Sequence, residues 1–200
     1  LSGCGGSKSA SKNGKILTVE EGPDVETIDP ALNQSADGAN YITMISDNLL
    51  RIDKDGKIAP SMAEKYEVSD DGLTWTFHLR DGLKWSDGSD FTANDFVYSW
   101  QRMVDPEVAA PYAETMLGMV EGYKDAIGNP DADGNTTTTP DRTKLKVEAP
   151  DDKTLVVHMS HPTPYFDRLA TFAALSPVKK DVVEANPDGW SLDPKTYVST

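Results

Sequence analysis

The chain has 200 residues, enough for one or two domains. With 19 Lys plus Arg against 33 Asp plus Glu its formal charge is −14, which repels phosphate backbones and argues against a nucleic-acid partner. Its 38% hydrophobic and 26% charged residues fit a folded protein rather than wholesale disorder, and no run approaches the ~20 apolar residues of a membrane span.

The N-terminal residues Leu1-Ser2-Gly3-Cys4 hold the single cysteine. One thiol makes no intrachain disulfide and cannot alone build a tetrahedral zinc site. A small residue before the cysteine resembles a bacterial lipobox, in which the cysteine is lipidated and becomes the mature N-terminus. The expectation is a signal-peptide remnant, an anchor at Cys4 and a flexible Gly/Ser-rich tether through Gly14.

Ile16-Leu17-Thr18-Val19 predicts a strand. Ile42, Ile45, Leu49 and Ile52 fall on one helical face, so the spacing predicts a helix from Asn40. Asp53-Lys54-Asp55-Gly56 is a turn, and Ser61 to Tyr66 is expected to form one or two helical turns. Leu73, Trp75, Phe77 and Leu79 alternate with polar residues, a strand with one buried face. Thr92 is a good N-cap with Asp95 three residues on. Ala93, Phe96, Val97, Trp100, Met103 and Val104 form one stripe, and Asp105-Pro106 stops that helix. Asn129 to Asp141 reads as a polar loop. Lys144–Ala149 and Thr154–Met159 predict a hairpin with Leu145, Val147, Leu155 and Val157 facing inward, and Pro164–Ala174 predicts a helix. Asn186-Pro187-Asp188-Gly189 and Asp193-Pro194 are turns, and Thr200 closes no element, so a C-terminal truncation is expected.

Catalytic and metal motifs are weak. Ser9-x-x-Lys12 and Ser46-Asp47-Asn48 match two of three patterns of serine β-lactamases, but the first lies in the tether and no Lys-Thr-Gly follows. Asn129, Asp131, Asp133 and Gly134 match half a calcium loop whose twelfth position is Pro140 instead of a bidentate glutamate. His78, His158 and His161 do not share ligand spacing, and Trp75, Trp85 and Trp100 sit in core patterns. No activated nucleophile, metal or cofactor is expected, and hence no enzyme.

Pro60-Ser61-Met62-Ala63-Glu64-Lys65-Tyr66 runs into Asp71-Gly72-Leu73-Thr74-Trp75-Thr76-Phe77-His78-Leu79-Arg80-Asp81-Gly82-Leu83-Lys84-Trp85-Ser86-Asp87-Gly88, then Phe91-Thr92-Ala93-Asn94-Asp95-Phe96-Val97-Tyr98-Ser99-Trp100. With Val25-Glu26-Thr27-Ile28-Asp29-Pro30, Pro111-Tyr112 and His161-Pro162-Thr163-Pro164-Tyr165-Phe166 in order, it resembles the oligopeptide-binding lipoproteins of peptide ABC importers, the family 5 extracellular solute-binding proteins. The resemblance implies an α/β (α+β mixed), two-lobed class II fold like the periplasmic binding proteins, with an inserted extra domain. It implies residues 15–46 and 180–200 in the first lobe and 47–179 in the insertion, the second lobe lying beyond Thr200.

The same resemblance implies a monomeric receptor on the extracytoplasmic face of the cell membrane, lipid-anchored at Cys4. It would capture oligopeptides between its lobes and deliver them to an ABC permease. The peptide adds as a strand, so main-chain bonds supply affinity without reading sequence. By position, Gln34, Ser35 and Ala36 become the pairing segment and Tyr112 a ligand contact. Receptors for nickel, haem or a sugar, and adhesins or signalling receptors of the same fold, are the alternatives.

Overall fold

The computed structural model describes residue 22, residues 24–193 and residues 196–200. The predicted strand at Ile16–Val19, the tether and Cys4 lie outside the described residues.

In chain order, α1 (Ala36–Ile45) precedes a small hairpin of β1 (Leu50–Ile52) and β2 (Ile58–Pro60). Then come β3 (Ala63–Val68), β4 (Thr74–Leu79), α2 (Ala93–Met103), α3 (Ala113–Leu117) and α4 (Tyr123–Ile127). A hairpin of β5 (Val147–Asp151) and β6 (Thr154–His158) follows, then α5 (Phe166–Leu169) and α6 (Lys180–Ala185). β3, β4, β6 and β5 form, in that order, a four-stranded antiparallel sheet.

The period-two pattern of β4 does what it predicts. Trp75, Phe77 and Leu79 are buried, as are Leu145, Val147, Leu155 and Val157 on the neighbouring hairpin. Trp75 pairs with Val157 and Phe77 with Leu155, so one face of the sheet is a continuous apolar surface. The stripe of α2 lies against β5 and β6. The Thr92 amide donates to Asp95 Oδ2 at 2.8 Å at its start. Phe166 of α5 fills the centre, its ring edge-on to Trp75, Phe77 and Trp100 at centroid distances of 5.6, 6.3 and 6.1 Å. All four tryptophans are buried. A second, smaller apolar cluster gathers Val178, Val183 and Trp190 against Tyr98 and Tyr197.

Three local expectations are corrected. The helix expected from Asn40 stops at Ile45, and Leu50–Ile52 is a strand. The carbonyls of Asn48 and Leu49 instead accept from the amides of Met62 and Ala63, both at 3.0 Å. Leu49 and Leu50 are buried while Ile45 and Ile52 are exposed, so the apolar spacing that mimics a helical face is shared between two elements. Ser61–Tyr66 does not turn into helix. β4 offers an open edge, Ala63–Val68 pairs along it, and Tyr66 stacks on Trp75 at 5.4 Å. Tertiary pairing overrides the helix propensity of Ala63-Glu64-Lys65. Within Pro164–Ala174 only Phe166–Leu169 is α-helical, and Phe172 leaves the helix with ψ of 138°.

Candidate functional site

The site begins with a turn at Asp29-Pro30-Ala31-Leu32. Pro30 presets a turn φ. The Asp29 carbonyl accepts from the amides of Leu32 (3.1 Å) and Asn33 (2.9 Å), and its Oδ1 accepts from the Ala31 amide at 3.0 Å. Asp29 is 1% exposed. Its charge is met by Arg102 of α2, with Nη1 donating to Oδ1 at 3.0 Å and Nη2 to Oδ2 at 2.6 Å. This bidentate pair uses the fork geometry that suits guanidinium to carboxylate. The Arg102 guanidinium lies 5.9 Å over the Trp190 ring, and Trp190 stacks on Tyr197 at 5.3 Å. The turn is thus clamped between α2 and the C-terminal part of the chain.

Beyond the turn, buried Asn33 organises the next residues. Its Oδ1 accepts from the Ser35 amide (3.3 Å) and hydroxyl (3.2 Å), and its Nδ2 donates to the Ser35 carbonyl at 2.9 Å. Ser35 is the N-cap of α1, its Oγ accepting from the Gly38 amide at 2.9 Å. Gly38 is required by close approach. A Cβ there would overlap Asn33 Oδ1 and lie 2.8 Å from Asn33 Cγ and 2.9 Å from Ser35 Oγ. Gln34, between Asn33 and Ser35, is exposed. Among the described residues, no group hydrogen-bonds its main-chain N–H or C=O.

Tyr112 comes from the far side. It sits just before α3, its carbonyl accepting from the Met116 amide at 2.9 Å, and its side chain stays 39% exposed. Gln34, Ser35, Ala36 and Tyr112, the four residues expected from the sequence to contact a ligand, line one cleft of about 400 Å³ together with Asn33, Ala39, Met116, Phe172, Ala173 and Ala174. The structure therefore brings together residues far apart in the chain.

Sequence reasoning missed Phe172, which it placed inside a helix. Its carbonyl accepts from Asn48 Nδ2 at 2.7 Å and from the Leu175 amide at 3.0 Å, and its amide donates to Leu169 at 2.9 Å. No local pattern signals an aromatic held this way. Asn48, part of the Ser-Asp-Asn triplet, serves the fold, its Oδ1 also accepting from the Leu49 amide at 2.8 Å. Ser9 and Lys12 lie outside the described residues. A larger concavity of about 650 Å³ lies beside α1, lined by Val25, Ile28, Tyr41, Ile45 and Tyr197 among others. On the helix, Tyr41 and Ile45 stand on the side opposite Ala36 and Ala39.

Among the described residues no three His, Cys, Asp or Glu side chains gather as a metal site. His78 Nε2 lies 3.5 Å from Glu67, and His161 Nδ1 lies 3.0 Å from Ser160 Oγ. In the segment that matches half a calcium loop, Asp131 Oδ1 accepts from the amides of Asp133 and Asn135, both at 2.9 Å, as a turn does. No helix among the described residues is long and apolar enough to cross a membrane.

This mixed helix-and-sheet unit, in which a buried, clamped turn leads into an exposed segment beside a mainly apolar cleft, has the fold of OppA-type periplasmic binding proteins. It matches the crystal structure of Haemophilus influenzae OppA in complex with RPPGFSPFR with a TM-score of 0.80 and 38% identity, covering 90% of this chain and 33% of that one. Listeria monocytogenes OppA bound to peptide matches with a TM-score of 0.78 and 30% identity, covering 88% of this chain and 33% of that one. The family described as bacterial extracellular solute-binding proteins, family 5 middle, matches residues 57–200, and the chain belongs to it. The periplasmic oligopeptide-binding protein OppA of Salmonella typhimurium is 39% identical over 178 residues, 88% of this chain and 31% of that protein. The oligopeptide-binding protein OppA of Bacillus subtilis is 34% identical over 182 residues, 91% of this chain and 32% of that protein. The chain thus spans about a third of the length of the curated relatives it matches.

Proposed function

We propose that the chain is part of an extracytoplasmic receptor that captures oligopeptides and delivers them to an ABC permease, without catalysing a reaction itself. Residues 15–46 and 180–200 belong to the first lobe in this reading, and residues 47–179 to the inserted domain. The remaining length forms the second lobe. The receptor works as a monomer, and a lipid on Cys4, outside the described residues, holds it at the cell membrane.

The main chain of Gln34 carries the reading. Its N–H and C=O are turned to no partner among the described residues, while the flanking Asn33 amide and side chain and the Ser35 amide and carbonyl are hydrogen-bonded. An extended peptide laid along this segment would supply the missing donor and acceptor, and the clamp of Asp29 by Arg102 holds the segment in place beforehand. Such main-chain pairing is indifferent to guest sequence. Closing the second lobe over the guest would then bury it.

Native mass spectrometry of the full-length receptor after mild purification tests this. The expected result is a series of bound peptides of mixed sequence. Nickel, haem, a sugar or another single non-peptide solute as the sole bound species would reject peptides as the substrate. Normal peptide uptake after deletion of the receptor would instead reject transport in favour of adhesion or signalling.

A further inference from the structure

We propose that Asn135, in the loop between α4 and the short 3-10 turn at Arg142–Lys144, is an acceptor for an N-linked sugar chain. The inference rests on the extracytoplasmic placement in the reading above, because this modification belongs to surface loops of exported proteins.

The chain holds two Asn-x-Ser/Thr triplets without a central proline, Asn33-Gln34-Ser35 and Asn135-Thr136-Thr137. That spacing is the acceptor pattern of N-glycosylation. The structure separates the two. Asn33 is 8% exposed, and Ser35 occupies both ends of its carboxamide. A transferase could not grasp it without dismantling the start of α1. Asn135 is exposed, as is every residue from 131 to 140. Its Nδ2 reaches only the exposed carboxylate of Asp131 among the described residues, at 3.3 and 3.4 Å, long for an N–H to oxygen bond. The flanks differ as well. Asp133 stands two residues before Asn135 and offers a carboxylate for a cationic contact, whereas Ala31 stands two before Asn33.

The loop is built so that an adduct displaces nothing. Its turn is self-contained, with the Asp131 amide donating to the Asn135 carbonyl at 2.9 Å and Gly134 at φ of 85° in open space. Thr137 Oγ1 donates to the Asn129 carbonyl, also at the surface. Exposed bonds of this kind open at low cost, so Asn135 and Thr137 can thread together into an enzyme. Neither apolar cluster takes a residue from 128–144, and none of these residues lines the cleft at Gln34. A sugar chain here would shield a loop tip of the kind that proteases cut first.

The co-reactant is an oligosaccharide carried on a lipid pyrophosphate. Asn135 Nδ2 attacks its anomeric carbon, and the new N–C bond forms as the C–O bond to pyrophosphate breaks. The lipid pyrophosphate leaves with that electron pair, and the nitrogen gives one proton to a base of the transferase. The Thr137 hydroxyl is the second group that the transferase reads.

The test uses full-length protein purified from the cells that make it, with peptide sequencing by mass spectrometry under fragmentation that keeps sugars attached. Sugar is expected on Asn135 and not on Asn33. Asn135→Gln and Thr137→Val should each lose the added mass, Thr137→Ser should keep it, and Asn135→Gln should leave peptide affinity unchanged. Protease treatment of whole cells reports on which side of the membrane the protein lies. Bare Asn135 on protein outside the cytoplasm, or sugar on threonines 136–139 in its place, would overturn the acceptor and leave the receptor reading intact. Bare Asn135 on protein confined to the cytoplasm would overturn both.

Discussion

Arg102 grips Asp29 through both carboxylate oxygens, at 3.0 and 2.6 Å, with both side chains almost entirely removed from solvent. The pair joins the turn before α1 to the helix that covers the sheet. Removing one partner leaves a buried charge without a counter-ion. Arg102→Met should therefore lower stability by about 3–5 kcal/mol, whereas Asp29→Leu combined with Arg102→Met should cost less than Arg102→Met alone. Urea unfolding of the full-length protein reads both. A double variant worse than the single one would show that the pair contributes more than mutual neutralisation.

Gly38 packs beneath the segment proposed to pair with a guest. Adding a methyl group overlaps Asn33 Oδ1 and crowds Ser35 Oγ, the two atoms that shape the segment around Gln34. Gly38→Ala should weaken peptide binding more than Gly56→Ala, because Gly56 sits in the β1–β2 turn with open space around it. Gly56 has φ of 75°, so its substitution carries backbone strain but no clash. Paired affinity measurements on the two variants decide this, and equal losses would contradict it.

The central ring of the core offers a packing test. Phe166 is fully buried and meets Trp75, Phe77 and Trp100 edge-on. Phe166→Ala should cost about 3–5 kcal/mol through lost burial and a residual cavity. Phe166→Leu should cost less, since most of the volume stays. Chemical denaturation of both variants orders the two losses.

Tyr123 supplies an alkaline prediction. Burial, and secondarily the nearby Glu114 carboxylate, pushes its phenol up to about 12 from the usual value near 10. The folded state holds the proton more tightly than the unfolded chain. The associated stability is full below pH 10 and is lost as pH rises through about 12. Tyr123→Phe should flatten that part of the stability–pH profile, and the 295 nm difference titration of wild type minus variant should show a step near pH 12. A step near pH 10 would place Tyr123 in water.

Much of the fold was readable from the chain because burial imprints its own period. Trp75, Phe77 and Leu79 alternate as a half-buried strand must, and the stripe from Ala93 to Met103 repeats at helical spacing behind its Thr92 start. Those signals are local, and they survived. Where the apolar spacing was short, at Ile42 to Ile52, or where propensity stood alone, at Ser61 to Tyr66, the outcome depended on a partner strand and the local reading failed.

The candidate site divides along the same line. Motif position alone pointed to Gln34, Ser35, Ala36 and Tyr112, but nothing in the residues themselves says that they border one cleft. That meeting requires Arg102 to hold the turn at Asp29, and Asn48 to hold Phe172 opposite it. Hydrogen bonds between distant segments leave no periodic trace in sequence, so only the tertiary structure could assemble the two walls.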